Sequence, residues 1–281
     1  MARFTTADGL SLHYADTAEH EGGDGPAILC LAGLTRNSSD FRFVLPFLAG
    51  YRVIRMDYRG RGRSDYAADP ASYSIPQEAQ DALALLDHLG IASATILGTS
   101  RGGLIAMYLA ATAPDRLKGA ILNDIGPELA EGGLDRIKQY VGRRPGYDSY
   151  DAAAGGLAAA NEAQFPGVPL PRWRMHAENI WAEQPDGPLA LRYDVRLVDA
   201  LKDLTAAPAP DVWPVFDALA ALPLTVLRGG NSDLLSPDTF ERMKTRAPGM
   251  RAVTVPDRGH VPFLDEAEAL EGILAHLKDH A

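Results

Sequence analysis

Cysteine is almost absent from this 281-residue chain. Cys30 is the sole one, so no disulfide can close within the chain, and in the apolar run Ala27-Ile28-Leu29-Cys30-Leu31 it reads as a small buried strand residue. Long apolar stretches are missing as well. None approaches the ~20 residues that a bilayer requires, and Met1-Ala2-Arg3-Phe4-Thr5-Thr6 carries no signal-peptide core, so a soluble, cytoplasmic protein is expected. Positive charge is in deficit, with 27 Lys and Arg against 37 Asp and Glu and a formal net charge of −10. Such a surface repels nucleic-acid phosphates and anionic lipid, which leaves a small molecule as the expected partner and a monomer or homodimer as the expected state. No cluster of His, Cys, Asp and Glu has zinc-ligand spacing, so neither a metal nor another cofactor is expected. The loop Gly60-Arg61-Gly62 lacks the third glycine of a dinucleotide fingerprint and opens no immediate helix, so it reads as a tight strand-end turn.

What is present is an alternation of strand-like and helix-like segments. Phe4 to Thr6 and Leu10 to Tyr14 flank the turn dipeptide Asp8-Gly9 and predict an antiparallel hairpin. Further short strands are expected at Ala27 to Leu31, Arg52 to Met56, Ala94 to Gly98, Leu117 to Asn123, Leu224 to Leu227 and Arg251 to Val255. Helices are expected from about Asp40 to Leu48, after a Ser74 cap to Leu89, after Ser100 up to Pro114, after the Ser236-Pro237 cap, and from about Glu266 to His280. This order predicts an α/β fold, a doubly wound and mostly parallel sheet with its functional loops at the strand carboxyl ends.

One interval breaks the rhythm. About a hundred residues separate Asn123 from Leu224, far more than usually joins such elements. The interval predicts a helical cap over residues 128–217, inserted between two parts of one core domain, residues 1–127 and 218–281. Trp173, His176 and Trp181 fall in this cap and are candidate substrate contacts, beside the plainer role of packing cap against core.

The most informative segment is Gly98-Thr99-Ser100-Arg101-Gly102, placed between an apolar strand and a helix. A serine held in so sharp a strand-to-helix turn is a nucleophile elbow, and glycine on either side lets strand and helix pass closely. The first N–H groups and the positive end of the helix then face the spot where an oxyanion would form. A serine nucleophile needs a base, and the base needs an acid to orient it. Of seven histidines, His13, His20, His88, His276 and His280 are assigned to surfaces and His176 to the cap, which leaves His260 after the strand ending at Val255. Asp233, in the loop after Leu224 to Leu227, is preferred as the acid because it follows a strand end one loop before His260, whereas Asp124 precedes the inserted cap. Asp124, directly after Asn123, is the alternative, and Asp257 reads as a turn former.

These residues resemble the α/β-hydrolase superfamily, in its single-domain, cap-bearing branch, over nearly the whole chain. The resemblance rests on Leu31-Ala32-Gly33-Leu34, Asp57-Tyr58-Arg59-Gly60-Arg61-Gly62-Arg63-Ser64, the elbow, Asp233 and Gly259-His260. It implies that backbone N–H groups of Leu34 and Arg101 form the oxyanion hole. Ala32 stands where the family usually has histidine; a backbone donor survives that change, although the hydrogen bond of such a histidine is lost. Relatives that open epoxides or displace halide use an aspartate nucleophile, which Ser100 argues against. The expected activity is therefore a serine hydrolase, an esterase or lactonase, acting on small to medium, partly apolar substrates through a seryl acyl-enzyme. A carbon-carbon bond hydrolase of ring-cleavage diketones and a non-catalytic ligand receptor are the alternatives. The Arg101 side chain has two readings, an ion pair with Asp124 or Asp57, or recognition of a substrate carboxylate.

Overall fold

The Asp8-Gly9 turn sets the first edge of the sheet in the computed structural model, which describes residues 2–19, 25–199, 201 and 211–281. Gly9 has φ of 88° and donates its N–H to the Thr6 carbonyl, folding β1 (Ala2–Thr5) antiparallel onto β2 (Ser11–Asp16). The remaining strands are β3 (Ala27–Leu31), β4 (Arg52–Met56), β5 (Ala94–Thr99), β6 (Leu117–Asn123), the short pair β7 (Trp181–Ala182) and β8 (Ala190–Leu191), then β9 (Leu224–Gly229) and β10 (Arg251–Val255). Helices, numbered among the described residues, are α1 (Ile75–His88), α2 (Arg101–Thr112), α3 (Gly133–Tyr140), α4 (Tyr150–Asn161), α5 (Leu170–Ile180), α6 (Trp213–Ala220), α7 (Pro237–Arg246) and α8 (Ala267–His280).

Eight strands form one sheet in the order β1-β2-β4-β3-β5-β6-β9-β10, parallel from β4 onward, with β2 antiparallel to β4. The expected doubly wound α/β sheet is therefore present. Alternation along the strands sends side chains to two cores. Leu29, Leu31, Ile96 and Leu122 pack with α1, α2, α6 and α7 through residues such as Leu85, Ile105, Phe216 and Met243. Ile28, Cys30, Leu97 and Ile121 face the other side, against Phe41, Ile273 and Leu277. Cys30 is fully buried, which pushes its thiol up to about 12.

The order of winding reverses between β3 and β5, because β4 lies outside β3 and the chain then returns to the other side of it. Ligand crevices in open α/β sheets form at such a reversal. Register brings the ends into line: Leu31 pairs with Gly98, and Thr99 with Asn123. The loops that follow β3, β5 and β6 thus open side by side.

Several local expectations change. Residues 40–48 form two short 3-10 turns, Ser38–Arg42 and Leu45–Phe47, since Asn37 caps the first and Pro46 has no N–H with which to propagate a helix. His13 and His276, assigned to surfaces, are buried. His13 lies on β2, which is flanked by strands on both sides, and its Nδ1 is 2.9 Å from Asp57 Oδ2. His276 lies on the inner face of α8 with Nδ1 3.0 Å from Thr225 Oγ1, and burial pushes its pKa down to about 4. His88 and His280 are exposed, and His20 lies outside the described residues.

Between β6 and β9 the chain builds α3, α4, α5 and the β7–β8 pair over the strand carboxyl ends. Trp213, Phe216 and Leu219 of α6 instead join the main core beside α2, so core packing resumes within the segment expected to run to residue 217. Among the described residues no helix is long and apolar enough to cross a membrane.

Candidate active site

Ser100 follows β5 and caps α2 with φ of 50° and ψ of −113°, a left-handed backbone that side-chain-bearing residues rarely adopt. The turn is held from both directions. The Ser100 N–H donates to the Asn123 carbonyl at 3.0 Å, and the Ser100 carbonyl accepts from Gly103 N–H at 2.8 Å. The flanking glycines are obligatory for a steric reason. A Cβ on Gly98 would lie 2.7 Å from the Gly102 carbonyl carbon, and one on Gly102 would run into the Leu31 carbonyl oxygen.

His260, in the loop after β10, reaches Ser100 directly: Nε2 is 3.0 Å from Ser100 Oγ. On its other side, Nδ1 is 2.8 Å from Oδ2 of Asp124. This corrects the preference for Asp233 as the partner of His260. The reason is register. Thr99 pairs with Asn123, so the next residues on the two strands, Ser100 and Asp124, sit abreast, whereas Asp233 lies four residues beyond the end of β9. Asp233 there accepts a hydrogen bond from Gln164 and pairs with Arg136, both on the inserted segment. Asp124 is fully buried, with φ of 55°. Its Oδ1 accepts from Gly229 N–H at 2.8 Å, and its Oδ2 also accepts from Ser232 Oγ at 2.6 Å. Asp257 is exposed in a turn, as expected.

The loop after β3 runs alongside the elbow. A Cβ on Gly33 would sit 3.8 Å from Ser100 Cβ, and Leu34 lines the same cavity as Ser100. Tyr58 OH donates to the Ala32 carbonyl at 3.1 Å and Arg61 Nε to the Leu34 carbonyl at 3.0 Å, which orients this loop from below. Arg101 is the first residue of α2, where N–H groups have no acceptor within the helix.

Its guanidinium points elsewhere. Arg101 Nε donates to Glu78 Oε2 at 2.5 Å and Nη2 to the Tyr73 carbonyl at 3.0 Å. The ion-pair reading of Arg101 therefore holds, with Glu78 in place of Asp124 or Asp57, and the side chain does not face the cavity. Arg61 Nη1 lies 2.8 Å from Glu78 Oε1, close enough for an ion pair although not aligned as a hydrogen bond. Arg61 and Glu78 are wholly buried, and burial holds the Arg61 pKa below its usual value. One carboxylate thus ties together both stretches of backbone that border Ser100.

A cavity of about 530 Å³ opens over Ser100 and His260. Trp173, His176 and Trp181 all line it. Trp173 is buried and meets Phe165 and Phe263 edge-on, while Trp181 is half-buried with its ring centroid 5.7 Å from that of Tyr147. Burial, and then the adjacent charge of Arg36, holds His176 well below the usual histidine range. Its neutral ring accepts from Arg36 Nη1, 3.0 Å from Nε2.

The same geometry identifies residues that sequence reasoning passed over. Glu78 carried a signal, since it occupies the apolar stripe of α1 between Ile75 and Ala82, where an unpaired carboxylate would be costly. Arg36, Arg136, Arg143 and Arg144 also line the cavity. No periodicity or motif marks them.

A family model described as alpha/beta hydrolase fold matches residues 26–267. A 3-hydroxybutyrate-oligomer hydrolase of Cupriavidus necator is 36% identical over 263 residues, 89% of each chain. A 2-(acetamidomethylene)succinate hydrolase of Mesorhizobium japonicum is 25% identical over 85% of this chain and 83% of its own. Among solved structures, an alpha/beta hydrolase from Novosphingobium aromaticivorans superposes with a TM-score of 0.91 at 42% identity, covering 99% of this chain and 97% of the other.

Proposed function

Since the chain belongs to the alpha/beta hydrolase fold family, we propose that it hydrolyses carboxylic esters of small to medium, partly apolar substrates through an acyl-enzyme on Ser100. The observation that carries this reading is the continuous row from Ser100 Oγ through the His260 imidazole to the buried Asp124 carboxylate. Asp124 accepts the Nδ1 proton and so fixes the tautomer that presents Nε2 as a base to Ser100. Ser100 Oγ attacks the ester carbonyl while His260 takes its proton. Backbone N–H groups of Leu34 and Arg101 receive the negative charge on the carbonyl oxygen. His260, now an imidazolium facing a carboxylate, returns the proton to the departing alcohol. Water then enters by the same route and bonds to the acyl carbon as His260 takes its proton; the acyl–Oγ bond breaks as His260 returns that proton to Ser100, and the acid leaves.

The ester assignment draws support from the 36% identical relative, whose named substrate is an oligomer of a hydroxy acid, a chain joined by ester bonds. A lactone is a cyclic ester and passes through the same steps. The cavity walls over Ser100 are largely aromatic and aliphatic, which suits a partly apolar acyl chain. The test is a panel of 4-nitrophenyl esters, lactones and ring-cleavage diketones under steady-state conditions. Turnover of esters with an initial burst of 4-nitrophenol is expected. Diketone cleavage without ester turnover would replace this reading with carbon-carbon bond hydrolysis.

A further inference from the structure

The cavity over Ser100 carries charge opposite to that of the protein as a whole. The chain has a net charge of −10, yet Arg36, Arg136, Arg143 and Arg144 line this cavity against one carboxylate, Asp233. Two of the four are compensated. Arg136 pairs with Asp233, and Arg36 Nη1 is 3.2 Å from Asp40. His176 adds no charge, because burial and Arg36 keep it neutral. Arg143 and Arg144 have no acidic partner among the described residues, although acidic residues outnumber basic ones in the chain.

These two arginines stand on an anchored loop. Gly142 N–H donates to Tyr193 OH at 2.9 Å, Arg143 N–H donates to the Tyr140 carbonyl at 3.1 Å, and the Tyr147 carbonyl accepts from Leu189 N–H at 2.7 Å. Val141, at the start of the loop, is buried. Two adjacent guanidinium forks on an anchored backbone, bordering an aromatic cavity that ends at a serine nucleophile, match the charge and planarity of a carboxylate. Arg101, which sequence reasoning offered for such a role, is occupied by Glu78.

We infer that Arg143 and Arg144 form a carboxylate subsite, so that the preferred substrates are esters bearing a free carboxylate at the end remote from the scissile bond. The inference rests on the ester-hydrolase reading for its chemistry. The apolar part of the chain lies along Trp181 and Leu157, the ester carbonyl reaches Ser100, and the terminal carboxylate stays at the loop. Because both arginines are exposed, the attraction acts through a partly aqueous mouth and is screened by salt.

Matched substrates test this: 4-nitrophenyl pentanoate against the 4-nitrophenyl half-ester of glutaric acid, which differ by a terminal methyl against a carboxylate, and the hexanoate against the adipic half-ester. The kcat/KM ratio of half-ester to neutral ester is expected to favour the half-ester by about tenfold or more at low salt, and to shrink as salt rises. In the double variant Arg143→Met, Arg144→Met the ratio is expected to fall to within about twofold of one, mainly through KM. Arg174→Met, which removes an exposed arginine paired with Asp151 outside the cavity, is expected to keep the wild-type ratio. A ratio near one in the wild type, or the same ratio in wild type and double variant, overturns the subsite. A second measurement separates this from a failure of the ester reading: glutarate or adipate binding to the Ser100→Ala protein, followed by tryptophan fluorescence. Binding that the double variant loses supports the subsite even if no ester is turned over, and absence of binding in both proteins contradicts it.

Discussion

Asp124 and His260 meet 2.8 Å apart at the carboxyl ends of two different strands, with the carboxylate fully buried and the imidazole between it and Ser100. Strand register places Asp124 beside Ser100, since Asp124 stands one residue beyond β6 as Ser100 stands one residue beyond β5, and the loop after β10 brings His260 between them. Asp124→Asn removes the acceptor that fixes the tautomer and faces the imidazolium. Turnover of an activated ester should fall by about 10⁴, on the precedent of serine proteases. Asp233→Asn should cost about tenfold or less, because Asp233 binds Gln164 and Arg136 and acts through the placement of the inserted segment. Stopped or steady-state assays of both variants on one ester give the ranking, and the reverse order would return the acid to Asp233.

Glu78 is the buried counter-ion of two arginines. Replacing it by Gln leaves the Arg61 and Arg101 charges uncompensated next to the loop and helix that border Ser100. Breaking a buried pair from one side typically costs about 3–5 kcal/mol. Urea denaturation of Glu78→Gln should show a loss of that order, with kcat lowered in the remaining folded enzyme. Stability within about 1 kcal/mol of wild type would mean that the cluster is hydrated and weakly coupled.

Stability should depend on pH in a direction set by His276. Its folded pKa is about 4, against an ordinary value near 6.5, because burial disfavours the charged ring. Below about pH 6.5 the unfolded chain binds this proton while the folded chain does not until pH approaches 4, so stability falls as pH drops through that window. His176, also held below the usual range, acts in the same sense. From pH 7 to 5, His276 alone should account for about 2 kcal/mol. Chemical denaturation at the two pH values in wild type and His276→Asn measures it, and an equal loss in both would remove His276 from the account.

The two tryptophans over the cavity should separate. Trp173 is packed on Phe165, Phe263 and His176, so Trp173→Ala is expected to destabilise by about 3 kcal/mol or more. Trp181 is half-buried at the wall, and Trp181→Ala should shift the preferred acyl length toward longer chains at a smaller stability cost. Rates on acetyl to octanoyl esters, together with melting curves, resolve the two effects. Unchanged relative rates in Trp181→Ala would make it a packing residue.

Much of this site is legible in the sequence, because its chemistry is written in local residue patterns. Gly98 and Gly102 around Ser100 declare the elbow, and His260 emerges once the other histidines are set aside. The choice of acid could not be settled in that way. A place one loop before His260 favours Asp233, whereas the pairing of Thr99 with Asn123, a property of the assembled sheet, favours Asp124. The burial of His13 and His276 is not legible in the sequence for a related reason. Burial of β2 depends on β4 lying beside it, and the inner face of α8 is set by the sheet it covers. Arg143 and Arg144 belong to a loop whose relation to Ser100 exists only once the inserted segment is in place.

The most direct test of the account is Ser100 itself, probed by a fluorophosphonate reagent and by ester turnover in wild type and Ser100→Ala. Wild type should gain a single adduct, mapped by mass spectrometry to the peptide containing Ser100. Ser100→Ala should fold normally, take no adduct, and lose about 10³ to 10⁶ in turnover. An adduct on another residue, or wild-type ester hydrolysis in Ser100→Ala, would contradict the proposal that Ser100, His260 and Asp124 carry the reaction.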